Sequence, residues 1–340
     1  MKKIISFLLA VSLILCTACG TASNGDDGKH NPYATGDGVN LPESSGYPMT
    51  IKDYFDVETT LEKMPEKVAV LSGSMLNVWY DLGGKSICSS DISDNIILTR
   101  EYADEMLELP TVGPVYQVNM EAIVDTKPDL IITQAGVQTT ATDQLRDMGI
   151  PVISLLMKTY EDTLDMYRLF GMILGQEELA EEKIAQIEEQ VNSVVEKMPD
   201  ENPSVVILYV TGQSLSVKLD DSIAGDIANM LGFTNIASDL PPDTIGSENT
   251  PLDIEYIVEK NPDYIFVTSM VSDNETAMAT MTDEFENNPA WSGVGAVKSG
   301  NIIYLPQEYF LYNAGPYYGE AIEYMASSVY PEIFGAPEVG

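Results

Sequence analysis

The amino-acid sequence predicts an α/β protein of two similar lobes joined by one long helix. Short apolar runs typical of buried strands alternate with helical patterns in both halves of the chain, an order that favours parallel sheets. A long helical pattern separates the two halves, and a segment of the first half, 121–131, recurs at 255–265. Together these three observations indicate that one folding unit is present twice.

The first residues predict export. Lys2 and Lys3 precede an apolar run, 4–15, which is too short to span a membrane as a mature helix but has the length of a secretory signal core. The small residues Thr17 and Ala18 follow this run. We therefore expect residues 1–18 to be a signal peptide that is removed.

Cys19 is the predicted mature N-terminus. With Ala18 before it and Gly20 after it, the segment resembles the lipobox of bacterial lipoproteins. The resemblance implies that Cys19 carries the lipid that anchors the protein to the outer face of the cell membrane. Cys16 departs from that motif, which usually has leucine at this position. A plain secreted protein, cleaved near Ala18 or Ala22, is the alternative.

Residues 19–46 predict a flexible tether, because Gly, Asn, Ser, Asp and Pro dominate there without apolar periodicity. The N-terminal α/β lobe is expected at 47–160. Its predicted elements, in chain order, are a hairpin within 51–64, a strand at 67–71, a turn at 72–76, a helix through Trp79, a strand at 129–133, a helix at 144–148 and a strand at 151–154.

Residues 161–198 predict the rigid bridging helix, since Glu, Ala, Gln and Leu recur there with helical spacing. Gly171 and Gly175 interrupt the pattern, and Pro199 and Pro203 end it. The C-terminal α/β lobe is expected at 199–340, with a strand at 205–209, a turn at 211–215 and a helix at 223–231.

The internal repeat is the strongest of these signals. In the first copy Glu121 begins a helical segment, Pro128 stops it and an apolar strand follows; Glu255 and Pro262 hold the same places at an offset of 134 residues. The identities stay in register over a helix, a breaker and a strand, which chance explains poorly. We expect two Rossmann-like copies with a ligand cleft between them, at the carboxyl ends of their strands.

Composition excludes several classes of partner and of fold. The chain has 17 basic and 53 acidic residues, a formal net charge of −36, whereas nucleic acids and anionic membrane surfaces both need a basic patch. Because Cys16 leaves with the signal and Cys19 carries lipid, Cys88 has no partner for a disulfide within the chain. The fold must therefore depend on an apolar core.

A series of short segments resembles the ABC-importer binding proteins for ferric siderophores, haem and cobalamin, whose two lobes are bridged by a rigid helix. The resemblance covers residues 47–331. Its segments are VAVLS at 68–72, NMEAI at 119–123, KPDLI at 127–131, GIPV at 149–152, NPAW at 288–291, AVK at 296–298, NIIY at 301–304 and GP at 315–316.

The resemblance implies a monomeric solute-binding protein that has no cofactor and is not an enzyme. Its implied partners are a permease dimer with its ATPase, and a small-molecule metal chelate. In that family one exposed glutamate of each lobe pairs with permease arginines, and Glu121 and Glu255 match those positions. Carboxylate–guanidinium pairs at equivalent points of two lobes suit a two-fold partner. Alternatively, both glutamates are simply favoured by the dipole at a helix N-terminus.

The candidate ligand is an iron-siderophore-type chelate, with haem or cobalamin as alternatives. The one histidine, His30, lies in the tether, so capture of bare Zn²⁺ or Mn²⁺ is not expected. Three arginines offer no evident basin for a triply anionic catecholate, and Tyr116 or Met120 could serve as a haem ligand. The candidate binding residues are Ser72, Arg100, Tyr116, Gln134, Lys158, Gln213, Lys218, Tyr309 and Tyr312.

Two other function classes are weighed against this interpretation. A hydrolase of the Ser/His/Asp type needs a histidine base, which the predicted folded region lacks. The glycines at 73 and 212 match neither a phosphate-binding loop nor a dinucleotide fingerprint. A surface lipoprotein without a transport function is the remaining alternative, and it would show no stabilisation by any chelate.

Overall fold

The computed structural model describes residues 39–212, 214–271 and 274–338. The predicted signal peptide, Cys19, His30 and most of the tether lie outside these residues, and so does Gln213. The described chain forms two α/β lobes, which confirms the predicted fold class.

The N-terminal lobe consists of β1 (Met49–Lys52), β2 (Glu58–Leu61), β3 (Val68–Val70), α1 (Gly73–Asp81), α2 (Ala103–Leu107), α3 (Met120–Asp125), β4 (Leu130–Gln134), α4 (Thr139–Asp147) and β5 (Val152–Leu155). Strands β1 and β2 form the predicted antiparallel hairpin. Strands β3, β4 and β5 form a parallel sheet in that order. Their residues are almost all buried, as expected for a parallel sheet covered on both faces.

The segment predicted as one bridging helix is two helices, α5 (Tyr160–Leu174) and α6 (Glu177–Val195). Gly175 ends α5 in the left-handed conformation at φ 62°, where the chain turns. The two helices then pack closely at Gly171, because a Cβ atom there would lie 2.7 Å from Cβ of Ala180. Helix α6 is therefore the element that leads from the first lobe to the second.

The C-terminal lobe consists of β6 (Ser204–Val210), β7 (Leu215–Lys218), α7 (Ile223–Met230), β8 (Thr234–Asn235), β9 (Asn249–Pro251), α8 (Ile254–Lys260), β10 (Tyr264–Ser269), α9 (Asn274–Asn287), α10 (Gly295–Ser299), β11 (Ile302–Tyr304), α11 (Gln307–Phe310), α12 (Tyr318–Val329) and α13 (Pro331–Phe334). The sheet order is β11-β10-β6-β7-β9, with β8 also beside β6. Strand β7, which the sequence did not predict, runs antiparallel to β6.

The internal repeat is visible in the structure. Helix α3 leads into β4 as α8 leads into β10. Asn119 and Asp253 cap the two helices by accepting hydrogen bonds from first-turn backbone N–H groups. After the helices, Lys127 and Asn261 adopt positive φ angles of 54° and 48°. The equivalence thus extends to unusual backbone conformations as well as to residue identities.

One apolar core is shared by the two lobes. It includes Val70 and Ile132 of the first sheet, Phe170 of α5, and Ile207 and Phe266 of the second sheet. Smaller clusters cover the opposite faces of the two sheets. Because the shared core would be exposed by a large rotation of one lobe against the other, the lobes are held in a narrow range of orientations.

The carboxylate of Asp226, in α7, links the second lobe to the start of α5. Oδ2 of Asp226 accepts hydrogen bonds from the backbone N–H of Tyr160 at 2.7 Å and from the hydroxyl of Tyr318 at 2.8 Å. The start of α5, helix α7 and the start of α12 therefore meet at one side chain, which we call the Asp226 junction.

A buried ion pair ties the hairpin to the first sheet. The Asp53 carboxylate is fully buried and accepts hydrogen bonds from the backbone N–H groups of Phe55, Val57 and Ser154. The Arg146 guanidinium donates to the same carboxylate. The charge of Asp53 is therefore compensated on several sides, and its removal would leave Arg146 without its counter-ion.

We predict that Asp53→Ala lowers the free energy of unfolding by about 3–5 kcal/mol, the usual result of breaking a buried pair from one side. Urea unfolding measures this change. Glu66→Ala is the control, since Glu66 pairs with Lys63 on the surface with both side chains more than 70% exposed, and it should cost less than about 1 kcal/mol. Equal losses in the two variants would contradict the assigned role of Asp53.

Candidate functional site

The polar residues at the strand ends of the first lobe form a hydrogen-bond network. Ser72 follows β3, and its hydroxyl donates to Oε1 of Gln134 at the end of β4, at 3.1 Å. The Gln138 side chain accepts from the backbone N–H of Gln134 and donates to the carbonyl of Leu71, both at 2.8 Å. The structure thus brings the candidates Ser72 and Gln134 together at the carboxyl edge of the sheet.

Two lysines from different lobes meet at one carboxylate. Nζ of Lys158, which follows β5, lies 3.1 Å from Oε2 of Glu248. Nζ of Lys218, at the end of β7, pairs with Oε1 of the same carboxylate. The exposed fractions of these side chains are 24% for Lys158, 9% for Lys218 and 24% for Glu248. We call these three residues the lysine–glutamate cluster.

The pairing of Glu248 and Lys158 favours the charged form of both groups. Burial acts to raise the pKa of the Glu248 carboxyl, but the ammonium groups of Lys218 and Lys158 outweigh it and hold that pKa below its usual value. Burial acts to lower the pKa of Lys158, and Glu248 outweighs it, so that this pKa is raised. Nearby, desolvation raises the pKa of Asp221.

An aromatic and thioether surface adjoins the cluster. Nζ of Lys218 lies 4.1 Å from the ring centroid of Tyr209, near the end of β6. The Tyr209 hydroxyl donates to Sδ of Met270 at 3.2 Å, and Met270 is 62% exposed just after β10. Burial is the main cause that raises the pKa of the Tyr209 hydroxyl. The charge of Glu248 and the candidate residue Tyr312 raise it further. Tyr312 is therefore close to this surface.

Tyr309 does not belong to this surface, in contrast to its place among the candidates. Its ring is fully buried against Phe310 and Tyr324, and its hydroxyl donates to Glu320 at 3.0 Å. It therefore offers no surface to a ligand. Its neighbour Gln307 instead contacts the other lobe, since Nδ2 of Asn95 donates to Oε1 of Gln307 at 2.7 Å.

Tyr116 and Arg100 lie apart from the lysine–glutamate cluster. Tyr116, 74% exposed, lines a pocket of about 210 Å³ with Val137 and Gln138, next to the end of β4. The Arg100 guanidinium lies 5.0 Å from the Tyr317 ring, in a groove that faces α6. The structure therefore places Tyr116 beside the strand ends of the first lobe and Arg100 on the side of the bridging helix.

Glu121 and Glu255 occupy equivalent, exposed positions in the first turns of α3 and α8. Each lies two residues after the capping side chain of its helix. The geometry suits a partner that contacts both lobes in the same way. It also gives each carboxylate the favourable end of a helix dipole, so the helical role and the docking role are compatible.

Glu248 is the residue that sequence reasoning missed. It is one of 53 acidic residues, and its partners lie far from it in the chain.

Among the described residues, no three His, Cys, Asp or Glu side chains are grouped so that they could hold a metal ion. No helix in the described part is both long enough and apolar enough to cross a bilayer.

Comparison with known proteins places this fold in a family. The profile of the periplasmic binding protein family matches residues 68–309. The Fe(3+)-citrate-binding protein YfmC of Bacillus subtilis (strain 168) is 27% identical over 300 residues, which cover 87% of this chain and 88% of YfmC. The probable siderophore-binding lipoprotein YfiY of the same strain is 24% identical over 313 residues, covering 88% and 90%.

A solved structure shares the fold. The ABC transporter substrate-binding protein from Listeria monocytogenes EGD-e superimposes with a TM-score of 0.68 at 19% identity, over 78% of this chain and 98% of that one. The family profile spans both lobes and the helices between them. The resemblance found in the sequence is thereby confirmed: the chain belongs to the periplasmic binding protein family.

Proposed function

We propose that the protein is the extracytoplasmic solute-binding component of an ABC importer, and that it captures an iron chelate of the siderophore type for delivery to the permease. The lysine–glutamate cluster is the observation that carries this proposal. It places two cationic groups, one from each lobe, at strand ends in a protein whose net charge is −36. YfmC and YfiY are relatives whose names refer to ferric citrate and to siderophores.

The site supports binding and release of a ligand rather than chemistry on it. Lys158 and Glu248 form an ion pair and Ser72 is hydrogen-bonded to Gln134, so none of these groups is arranged as a nucleophile beside a free base. The described residues include no histidine. A transport component that is not an enzyme is therefore the function that we propose.

The shared core favours a site that is largely preformed. A lobe rotation large enough to open the molecule widely would expose residues such as Phe170 and Ile207 to water. We therefore infer that ligands enter with small adjustments of the lobes, and that affinity depends mainly on the side chains already at the strand ends.

A thermal-shift panel tests the proposed function. It compares ferric citrate, a ferric hydroxamate, a ferric catecholate, haem and cobalamin with free Zn²⁺, Mn²⁺ and Fe³⁺. We expect at least one chelate, at about 100 times its dissociation constant, to raise Tm by roughly 5 °C. Stabilisation by a free metal ion alone, or by none of these ligands, would overturn the proposal.

Docking to the permease is tested by reversing both exposed glutamates. Glu121→Arg combined with Glu255→Arg should abolish uptake of radiolabelled iron by cells and leave chelate affinity nearly unchanged, because neither carboxylate takes part in the lysine–glutamate cluster. Glu182→Arg with Glu189→Arg is the control, since it makes the same change of charge on exposed positions of α6. Loss of chelate binding in the first variant, with the fold intact, would argue against docking.

The membrane anchor is tested at the predicted lipidation site. Cys19→Ala should move the protein from the membrane fraction to the soluble extracytoplasmic fraction, because one cysteine carries all of the covalent lipid. Cys16→Ala, which changes a residue of the predicted signal peptide, should leave the protein in the membrane fraction. If the Cys19 variant stays on membranes after a high-salt wash, the lipoprotein assignment is wrong.

A further inference from the structure

The Glu248 carboxylate pairs with the ammonium groups of Lys158 and Lys218 as a carboxylate of a bound ligand would. One of its oxygens pairs with Lys218 and the other with Lys158, so a single carboxylate bridges two ammonium groups. The lysines come from different lobes, and the bridge therefore lies where the lobes face each other. Each ammonium group has three N–H donors, and the bond to Glu248 takes up one of them.

Two ammonium groups share one bridging carboxylate in the cluster. Asp221 is close enough to interact with Lys158 and Glu248 and lies at the margin of the cluster, outside the bridge itself. The protein as a whole is strongly acidic, with 53 acidic against 17 basic residues. An anionic ligand would be repelled by most of the surface, and a local cationic site is what would hold it.

A purely structural role explains this arrangement less well. The pair of Glu248 with Lys218 lies within the second lobe, and the pair with Lys158 leaves about a quarter of each side chain exposed to solvent. The shared apolar core already joins the two lobes. Furthermore, the cluster is accessible from solvent and lies beside the Tyr209 ring and the exposed Met270 side chain.

We propose that the lysine–glutamate cluster is a carboxylate-binding subsite in which Glu248 is a resident carboxylate, displaced by a carboxylate of the ligand. This inference rests on the proposed function and names the ligand class: a ferric complex of a hydroxycarboxylic acid that keeps free carboxylates. The lysines are already oriented and partly desolvated in the free protein, and the 24% exposure of Glu248 gives its side chain a route to solvent when it is released.

Glu248 then acts as a specificity-determining residue. A ligand without an anionic group, such as a neutral hydroxamate complex, cannot replace Glu248 and finds the two lysines occupied. A ligand with several carboxylates gains both ammonium groups at once. The internal carboxylate thus sets a threshold of negative charge that a ligand must exceed in order to bind tightly.

Calorimetric titration with ferric citrate, metal-free citrate and a neutral ferric hydroxamate tests this inference. We expect Lys158→Gln and Lys218→Gln to weaken binding of ferric citrate by roughly 10- to 100-fold, the range of one charge-assisted hydrogen bond. Glu248→Gln should instead strengthen binding of ferric and metal-free citrate, because the internal competitor is gone. Hydroxamate affinity should not follow this pattern.

Lys85→Gln and Glu105→Gln are the matched controls. Lys85 pairs with Glu105 at 2.6 Å and lies 4.8 Å from the Tyr80 ring, so the pair resembles the cluster chemically but lies elsewhere on the first lobe. Neither control should alter citrate binding. If a cluster variant fails to fold, the wild-type protein still tests the inference, since its affinity for ferric citrate should fall steeply with salt.

The outcomes separate this inference from the proposed function. If Glu248→Gln weakens citrate binding as much as Lys158→Gln does, Glu248 is not displaced and the inference is wrong. If the protein binds hydroxamate, haem or cobalamin but not ferric citrate, the transport function stands and the carboxylate subsite is refuted. If no chelate binds, both are refuted.

Discussion

The packing of α5 and α6 against each other, against α1 in the first lobe and against α12 in the second, is the constraint on which the rest of the structure depends. Each lobe has a small apolar cluster on its outer sheet face, but the largest core is shared and is completed by residues of these helices, such as Phe170. The close contact of Gly171 with Ala180 allows the second helix to return along the first. Without this pair of helices, the shared core would lose residues such as Phe170 and Ile187 and would be partly exposed.

The same constraint determines where polar groups from the two lobes can meet. Because the lobes are held face to face, strand ends that are far apart in sequence become neighbours. Lys158 follows the last strand of the first lobe, whereas Glu248 precedes a strand at the edge of the second sheet. Asn95 and Gln307 form a separate contact between the lobes, and this contact is neutral. At the lysine–glutamate cluster, by contrast, the contact between the lobes is an ion pair.

The sequence predicted correctly those elements whose formation depends on residues close to one another in the chain. The repeated helix, breaker and strand at Glu121 and Glu255 were visible because periodicity and proline act within a few residues. Strand β7 was missed, since its four residues gain stability only by pairing with β6 and β9. Tyr309 was misplaced among the ligand candidates because composition cannot tell which face of a short helix turns inwards. Glu248 could not be found, because its role depends on two distant lysines.

The Asp226 junction has a consequence for how the lobes can adapt. Three elements meet at that carboxylate, so a displacement of the start of α5 relative to α7 and α12 would have to break one of these hydrogen bonds. Lys158 precedes Tyr160 by two residues and its carbonyl accepts a hydrogen bond from Asn313, so the backbone of this lysine is held close to the junction. Tyr116 is 74% exposed beside the strand ends of the first lobe, so its side chain can change rotamer without disturbing the Asp226 junction.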